Sequence, residues 1–336
     1  MRLNVTITAP RSTSQRNDSG AALIHRVTAA VRKLEAAGTT AVVVARGPGP
    51  GTVEPTTLAG AIARLTGAIG VVTADTALFG HPYNTARRLA SLDHLTRGRG
   101  GWLVEPTAGP DDESAFGIGV GGPAEQAARA AEYVDVVTAL WGSWEPGAVV
   151  PDKATGDFRD DTRIHAVAHR STHFRVQGPL DVPRCPQGRP VVVWPVRSAQ
   201  DVPLAARSAD VAAPWCVTAE DATATSGALR DAAATAGRDP AELLVLPVVG
   251  WGPAPGALVP PAAVAPWVAC VAELLDATGA AGITLVGDGS PEWAEEVAAE
   301  VLPALRDAGL LTAPPPGPTL AERYGLTAPQ RAGWAA

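Results

Sequence analysis

The sequence predicts a single (β/α)8 barrel. Short β-branched runs alternate with longer Ala-rich helical stretches along the chain. Eight such runs occur, each followed by a helix, which is the count of this barrel rather than of a sandwich or a bundle. The length, 336 residues, would suit two domains of ordinary size, yet this barrel uses a chain of that length as one unit. Residues 1–336 are therefore expected to form one domain.

Leu3–Thr8 reads as strand one. Gly20–Ala37 reads as a helix because Leu23, Val27, Ala30, Val31 and Leu34 recur at spacings of three and four. Gly38 stands where a C-cap glycine belongs. Ala41–Ala45 is strand two, a continuous apolar run of the kind that suits a parallel strand covered on both faces. Glu54–Leu65 follows as a helix with Pro55 near its first turn. Ile69–Ala74 and Tyr83–Leu95 make the third strand and helix, and Gly101–Glu105 and Glu125–Trp144 the fourth. Val191–Trp194 is strand five, with a helix to about Arg207. Val211–Val217 with Glu220–Ala236, Leu243–Val249 with Val264–Ala277, and Ile283–Val286 with Pro291–Ala308 complete the set. Two segments break the rhythm. Glu145–Pro190 is rich in Pro, Asp, His and Arg, and its piece His173–Leu180 is a candidate excursion strand. Trp251–Pro261 is a Pro/Gly stretch after strand seven, and Pro314–Pro318 opens a tail.

Composition narrows the function. Hydrophobic residues are 46% and charged residues 18%, which excludes a disordered chain. Asp+Glu exceeds Lys+Arg by 34 to 27, so bulk charge offers nothing to nucleic acid or an anionic membrane. The three cysteines, Cys185, Cys216 and Cys270, lie far apart with no CxxC, so neither a disulfide framework nor a zinc ribbon is indicated. No signal-peptide run opens the chain and no run of about 18 apolar residues occurs, so a cytoplasmic protein without a membrane span is expected.

A barrel of this kind carries its active site at the C-terminal ends of the strands. His81 and Glu105 fall there and are the candidates for proton transfer or substrate hydrogen bonding. Arg46, Thr73, Asp75, Thr107, Arg197 and Ser198 lie at or near the same ends and are the candidate cofactor contacts. His165, His169 and His173 are four apart, a spacing that suits metal ligands on one helix face, but they sit in an irregular segment and no metal is expected. Asp111-Asp112-Glu113 reads as a solvated acidic loop, and Ser290 before Pro291 as a helix N-cap.

Longer motifs carry a resemblance. Glu54-Pro55-Thr56-Thr57-Leu58 is followed by Pro82-Tyr83-Asn84-Thr85-Ala86-Arg87-Arg88-Leu89-Ala90-Ser91-Leu92-Asp93-His94-Leu95. Arg129–Val137, Leu140–Glu145, His173–Leu180 and Pro186-Gln187-Gly188-Arg189-Pro190 continue the pattern, and Thr319–Leu326 ends it. Together they resemble the bacterial-luciferase-like flavin monooxygenases, in the branch containing nitrilotriacetate and dibenzothiophene-sulfone monooxygenases. The resemblance implies a (β/α)8 barrel and reduced FMN as a diffusible co-substrate. It also implies a partner flavin reductase, a small organic substrate, and a homodimer paired through helices two and three. The chain departs from its relatives at flavin-contacting positions. Arg46 stands where they carry Asp, and Pro195-Val196-Arg197-Ser198 replaces the Gly-Ser-Ser loop that cradles the flavin phosphate. Two readings stay open. Either Arg197 and Ser198 hold the phosphate of a working flavin site, or flavin binding is lost and the chain is a cofactor-independent enzyme or a non-catalytic partner. The segments after strands two and seven are also shorter than in the relatives, which implies a shallower pocket.

Overall fold

The structure, a computed structural model, describes residues 1–8, 20–46, 53–252, 254, 256–259, 263–312 and 317–327. The mouth segment Ala9–Ser14, the loop Gly47–Gly51, Pro253, Pro255, Pro260, Pro261 and Pro314–Pro316 lie outside them. In chain order the first half holds β1 (Arg2–Thr8), α1 (Gly20–Ala36), β2 (Ala41–Ala45), α2 (Pro55–Leu65), β3 (Gly70–Thr76), α3 (Pro82–Thr96), β4 (Gly100–Glu105), α4 (Pro110–Phe116) and α5 (Pro123–Gly142). Next come β5 (His169–Arg170), β6 (Arg175–Val176), β7 (Val191–Val196), α6 (Asp201–Ser208), β8 (Val211–Pro214) and α7 (Ala219–Thr235). The last part holds β9 (Leu244–Val245), β10 (Val248–Gly250), α8 (Val264–Thr278), β11 (Gly282–Val286), α9 (Pro291–Glu296), α10 (Leu302–Asp307) and α11 (Leu320–Tyr324).

This is an α/β fold around one curled parallel sheet. The order is β10-β11-β1-β2-β3-β4-β7-β8-β9, and every neighbouring pair is parallel. The expected strand seven is split into β9 and β10, and the cause lies between them. Pro247 has no N–H to give a ladder. Leu246 N still donates to Ala212 O at 2.9 Å, and Pro247 O accepts from Thr284 N at 2.9 Å.

The two-residue strand period sorts the apolar side chains into two layers. Leu3, Val5, Ile7, Val42, Val44 and Val71 pack against the helices. Ala41, Val43, Val72, Val191, Val193, Val211, Leu246 and Val248 pack against one another inside the curl. Leu320 and Tyr324 of α11 join this inner layer, and the Tyr324 hydroxyl donates to Asn4 Oδ1 at 2.6 Å. The sheet tolerates no Cβ at Gly282, where one would lie 1.8 Å from Arg2 O. Outside β4, the buried Trp102 ring meets Trp141 of α5 edge-on at 6.2 Å and donates from Nε1 to Asp75 O at 3.0 Å. That packing fixes the ends of β3 and β4, where the candidate site begins.

Four local expectations shift. Only Arg175–Val176 of His173–Leu180 pairs, antiparallel with His169–Arg170. The long fourth helix starts two residues early, at Pro123, because proline suits a first turn whose N–H has no partner. Pro291–Ala308 is interrupted at Val297–Val301 by a π-type turn. Pro303 lacks an N–H and its ring crowds the preceding turn, which a wider turn relieves. Asp111-Asp112-Glu113 is the first turn of α4 rather than a loop, a position where carboxylates oppose the positive helix end favourably. Among the described residues, no helix is long and apolar enough to cross a membrane.

Ser290 is the N-cap of α9, its Oγ accepting from Trp293 N at 3.1 Å. Ser290→Ala is expected to lower stability by about 1 kcal/mol. A chemical denaturation midpoint equal to that of the wild type would remove the cap from the account.

Candidate functional site

The C-terminal ends of β2, β3 and β4 converge on a cavity of about 150 Å³. Arg46, Glu54, Asp75, Glu105, Thr107 and Phe116 are among the residues that line it. Glu105 is the last residue of β4, and the strand period places it on the inner face with Gly101 and Leu103. It is half-buried. Burial pushes its carboxyl above the ordinary glutamate range, and the opposing charges of Arg197 and Arg46 offset this only in part. A carboxyl that holds its proton to higher pH beside two guanidinium groups can donate or accept a proton at the mouth.

α4 lies across this cavity on two contacts. Arg46 Nη1 donates to Asp112 Oδ1 at 2.8 Å, and Phe116 stacks on Phe79 with centroids 4.4 Å apart. Gly109 and Gly117 bound the helix, the latter in the left-handed region at φ 65°. The stacked rings and the ion pair wall the cavity on the solvent side.

The structure thus brings Arg46, Glu105 and Thr107 together, and Arg197, the residue after β7, stands near enough for its charge to lower the Glu105 pKa. Others stand apart. Thr73 is fully buried on the helix-facing side of β3, in phase with Val71, and its Oγ1 has no hydrogen-bond partner among the described residues. Asp75 shares that phase. It is among the residues that line the cavity, but its carboxylate pairs with Arg88 and accepts from Thr85 Oγ1 at 3.3 Å, both on α3. Burial raises its pKa against the pull of Arg88. His81 caps α3, with Nδ1 accepting from Tyr83 N at 3.3 Å, and is exposed beside a groove of about 640 Å³ along α2 and α3. The cavity lined by Glu105 does not include it.

The spaced histidines do not converge. His165 pairs with Glu145 at 2.7 Å and His169 with Glu132 at 2.9 Å. Among the described residues no group of three His, Cys, Asp or Glu side chains could hold a metal ion.

On one of the two open readings Arg197 and Ser198 hold a phosphate. Three donors of this loop are already taken. Arg197 N, Ser198 N and Ser198 Oγ all donate to Asp201 Oδ2, at 3.0, 2.9 and 3.0 Å. The Arg197 guanidinium sits over the Trp215 ring, 5.5 Å from its centroid. The backbone N–H groups and the hydroxyl of this loop therefore do not fit the phosphate of FMN. Sequence reasoning missed Asp201, Phe79 and Phe116, and it read Asp112 as part of a solvated acidic loop. The only signal for Asp201 was an acid three residues beyond Ser198, a capping spacing.

Comparison with known proteins gives the wider frame. Residues 3–249 match the family model described as luciferase-like monooxygenase. Nitrilotriacetate monooxygenase component A of Aminobacter aminovorans is 42% identical over 197 residues, which cover 58% of this chain and 44% of that protein. Dibenzothiophene-sulfone monooxygenase of Rhodococcus erythropolis is 34% identical over 211 residues, covering 61% and 46%. The chain thus spans about half the length of these curated relatives. The crystal structure of a long-chain alkane monooxygenase superposes with a TM-score of 0.87 at 20% identity, over 99% of this chain and 97% of that one, a likeness of fold. The matched span runs from β1 into β10 and takes in every strand end that lines the cavity, and on that span the chain belongs to the luciferase-like monooxygenase family.

Proposed function

We propose that the chain is a monooxygenase that oxidises a small organic substrate, with reduced flavin supplied by a separate reductase. The observation that carries this reading is the family match over residues 3–249, the span that builds the sheet and its mouth. The names of the relatives support it, being those of monooxygenases. Since the curated matches cover about half of those proteins, the substrate and the reductase are part of the proposal.

The scaffold proposed is a closed (β/α)8 barrel in one domain of residues 1–336. Its support is the segment Leu244–Gly250, whose two pieces pair with β8 on one side and β11 on the other. Glu145–Pro190 is then an excursion between α5 and β7, and Trp251–Pro261 a shortened insertion after strand seven. The location proposed is the cytoplasm, on the cysteine spacing alone.

In the site, Glu105 is the proton-transfer group, and Arg46 and Arg197 hold negative charge near it. Thr107 offers a hydroxyl to the substrate. Asp75 and Thr73 position β3 from behind rather than touch a ligand, and His81 shapes the start of α3. A cavity of about 150 Å³ is small against the ~300–1,000 Å³ of ordinary ligand sites, so it takes the reacting end of a substrate rather than a whole cofactor. No phosphate contact is assigned to Arg197 or Ser198. A homodimer through α2 and α3 is supported by Leu65, the last residue of α2, and Leu95 in the groove along those helices, 50% and 63% exposed.

The purified protein titrated anaerobically with reduced flavin should show affinity in the micromolar range, about 8 kcal/mol. Oxygen consumption should then depend on an added flavin reductase. No affinity for any reduced flavin would defeat the reading and favour a flavin-free relative.

A further inference from the structure

The loop after β7 is shaped as an anion cradle and filled by the chain itself. Two consecutive backbone N–H groups and one hydroxyl converge on a single carboxylate oxygen, Asp201 Oδ2, at 2.9–3.0 Å. Asp201 opens α6, where the helix end favours negative charge. It is 8% exposed, and its own N–H donates to Ser198 O at 3.1 Å, which closes the turn.

A phosphate held by the backbone and hydroxyl of this loop would need the same three donors. Any oxygen placed within hydrogen-bond reach of all of them would overlap Oδ2. The loop is not free to open wider. Pro195 and Val196 pair in register with Ala213 and Pro214, and Val196 O accepts from Trp215 N at 2.8 Å. Arg197, the one cation of the loop, points over Trp215 and acts on Glu105 instead.

We infer that Asp201 is a specificity-determining residue: it stands in for the phosphate, so this chain does not distinguish FMN from riboflavin. This rests on the flavin reading above. Asp201→Gly removes the internal anion and leaves the loop donors free. Asp201→Asn keeps the side-chain shape and one acceptor but removes the charge.

The test compares reduced FMN, reduced riboflavin and inorganic phosphate on wild type and both variants, by anaerobic fluorescence titration and calorimetry. Wild type should bind the two flavins within about threefold of each other, and phosphate should neither bind nor compete. Asp201→Gly should prefer FMN by about tenfold or more, and phosphate should compete in it. A wild type that prefers FMN by about tenfold, or in which phosphate competes, overturns the inference. Should wild type bind neither flavin, the monooxygenase reading fails separately and phosphate decides. Binding to Asp201→Gly but not to wild type upholds Asp201 as the internal anion, whereas binding to both or to neither overturns it. Should Asp201→Gly fail to fold, the FMN-to-riboflavin ratio of wild type decides by the same limits.

Discussion

Glu105→Gln is expected to lower turnover by about 10²- to 10⁴-fold, the range carried by a positioned general acid or base. Glutamine keeps the shape and the hydrogen-bonding of the side chain but cannot exchange a proton. Flavin affinity should therefore stay near the wild-type value while the rate falls. The pH profile separates this from a structural role. Burial raises the Glu105 pKa, with Arg197 and Arg46 opposing. As a proton acceptor it works only when ionised, so wild-type turnover should climb with pH through that raised value, and the limb should vanish in Glu105→Gln. Stability should move the other way. A carboxyl whose pKa is higher folded than unfolded favours folding while protonated. That contribution is complete below the ordinary carboxyl range and is lost as pH rises through the raised value. At neutral pH the glutamine variant should thus unfold at a slightly higher temperature than wild type. A variant that keeps its rate, or loses rate and stability together, would take Glu105 out of the chemistry.

The strands were legible because each is a β-branched run that a sheet covered on both faces requires, as in Ala41–Ala45 and Val191–Trp194. The parallel order follows from the alternation with helices. The break at Pro247 was written in the sequence but needed the pairing of Leu246 with Ala212 to show as a split strand. α4 was not legible. Its seven residues carry three acids and hold their place through Arg46, 66 positions earlier in the chain, and through Phe79. Such a helix depends on tertiary contact rather than on propensity.

The site shows the same division. Strand ends pointed to Arg46, Glu105 and Thr107, which do share one cavity. They also pointed to Thr73 and Asp75, whose side chains face the helices, because a position near a strand end does not say which face a residue occupies. Counting by two from Val72, which faces inward, puts both on the other side. Asp201 needed more than counting. Its role depends on a turn that brings a carboxylate back onto the N–H groups three and four residues before it.

At the opposite end of the sheet, Asp210→Ala is expected to cost about 3–5 kcal/mol of stability, the range for stranding a buried charge. Arg189 and Asp210 form two parallel bonds of 2.6 Å, with side chains 19% and 10% exposed. Burial alone would lower the Arg189 pKa, yet the charge and hydrogen bonds of Asp210 raise it overall. The same carboxylate accepts from Val192 N at 2.8 Å, and the Asp210 backbone bonds Val192 O and Leu244 N at 2.9 Å each. One residue thereby joins β7, β8 and β9. Alanine leaves the guanidinium without its partner and Val192 N without its side-chain acceptor. Truncating both sides separates the lost pair from the stranded charge. Arg189→Met combined with Asp210→Leu removes both charges and fills the volume, so it should recover most of the loss. Urea unfolding at neutral pH measures all three proteins. A single variant within about 1 kcal/mol of wild type would mean that Arg189 reaches water on its own. A double variant no better than the single would mean that the bond to Val192 N, rather than the ion pair, holds the strands in register.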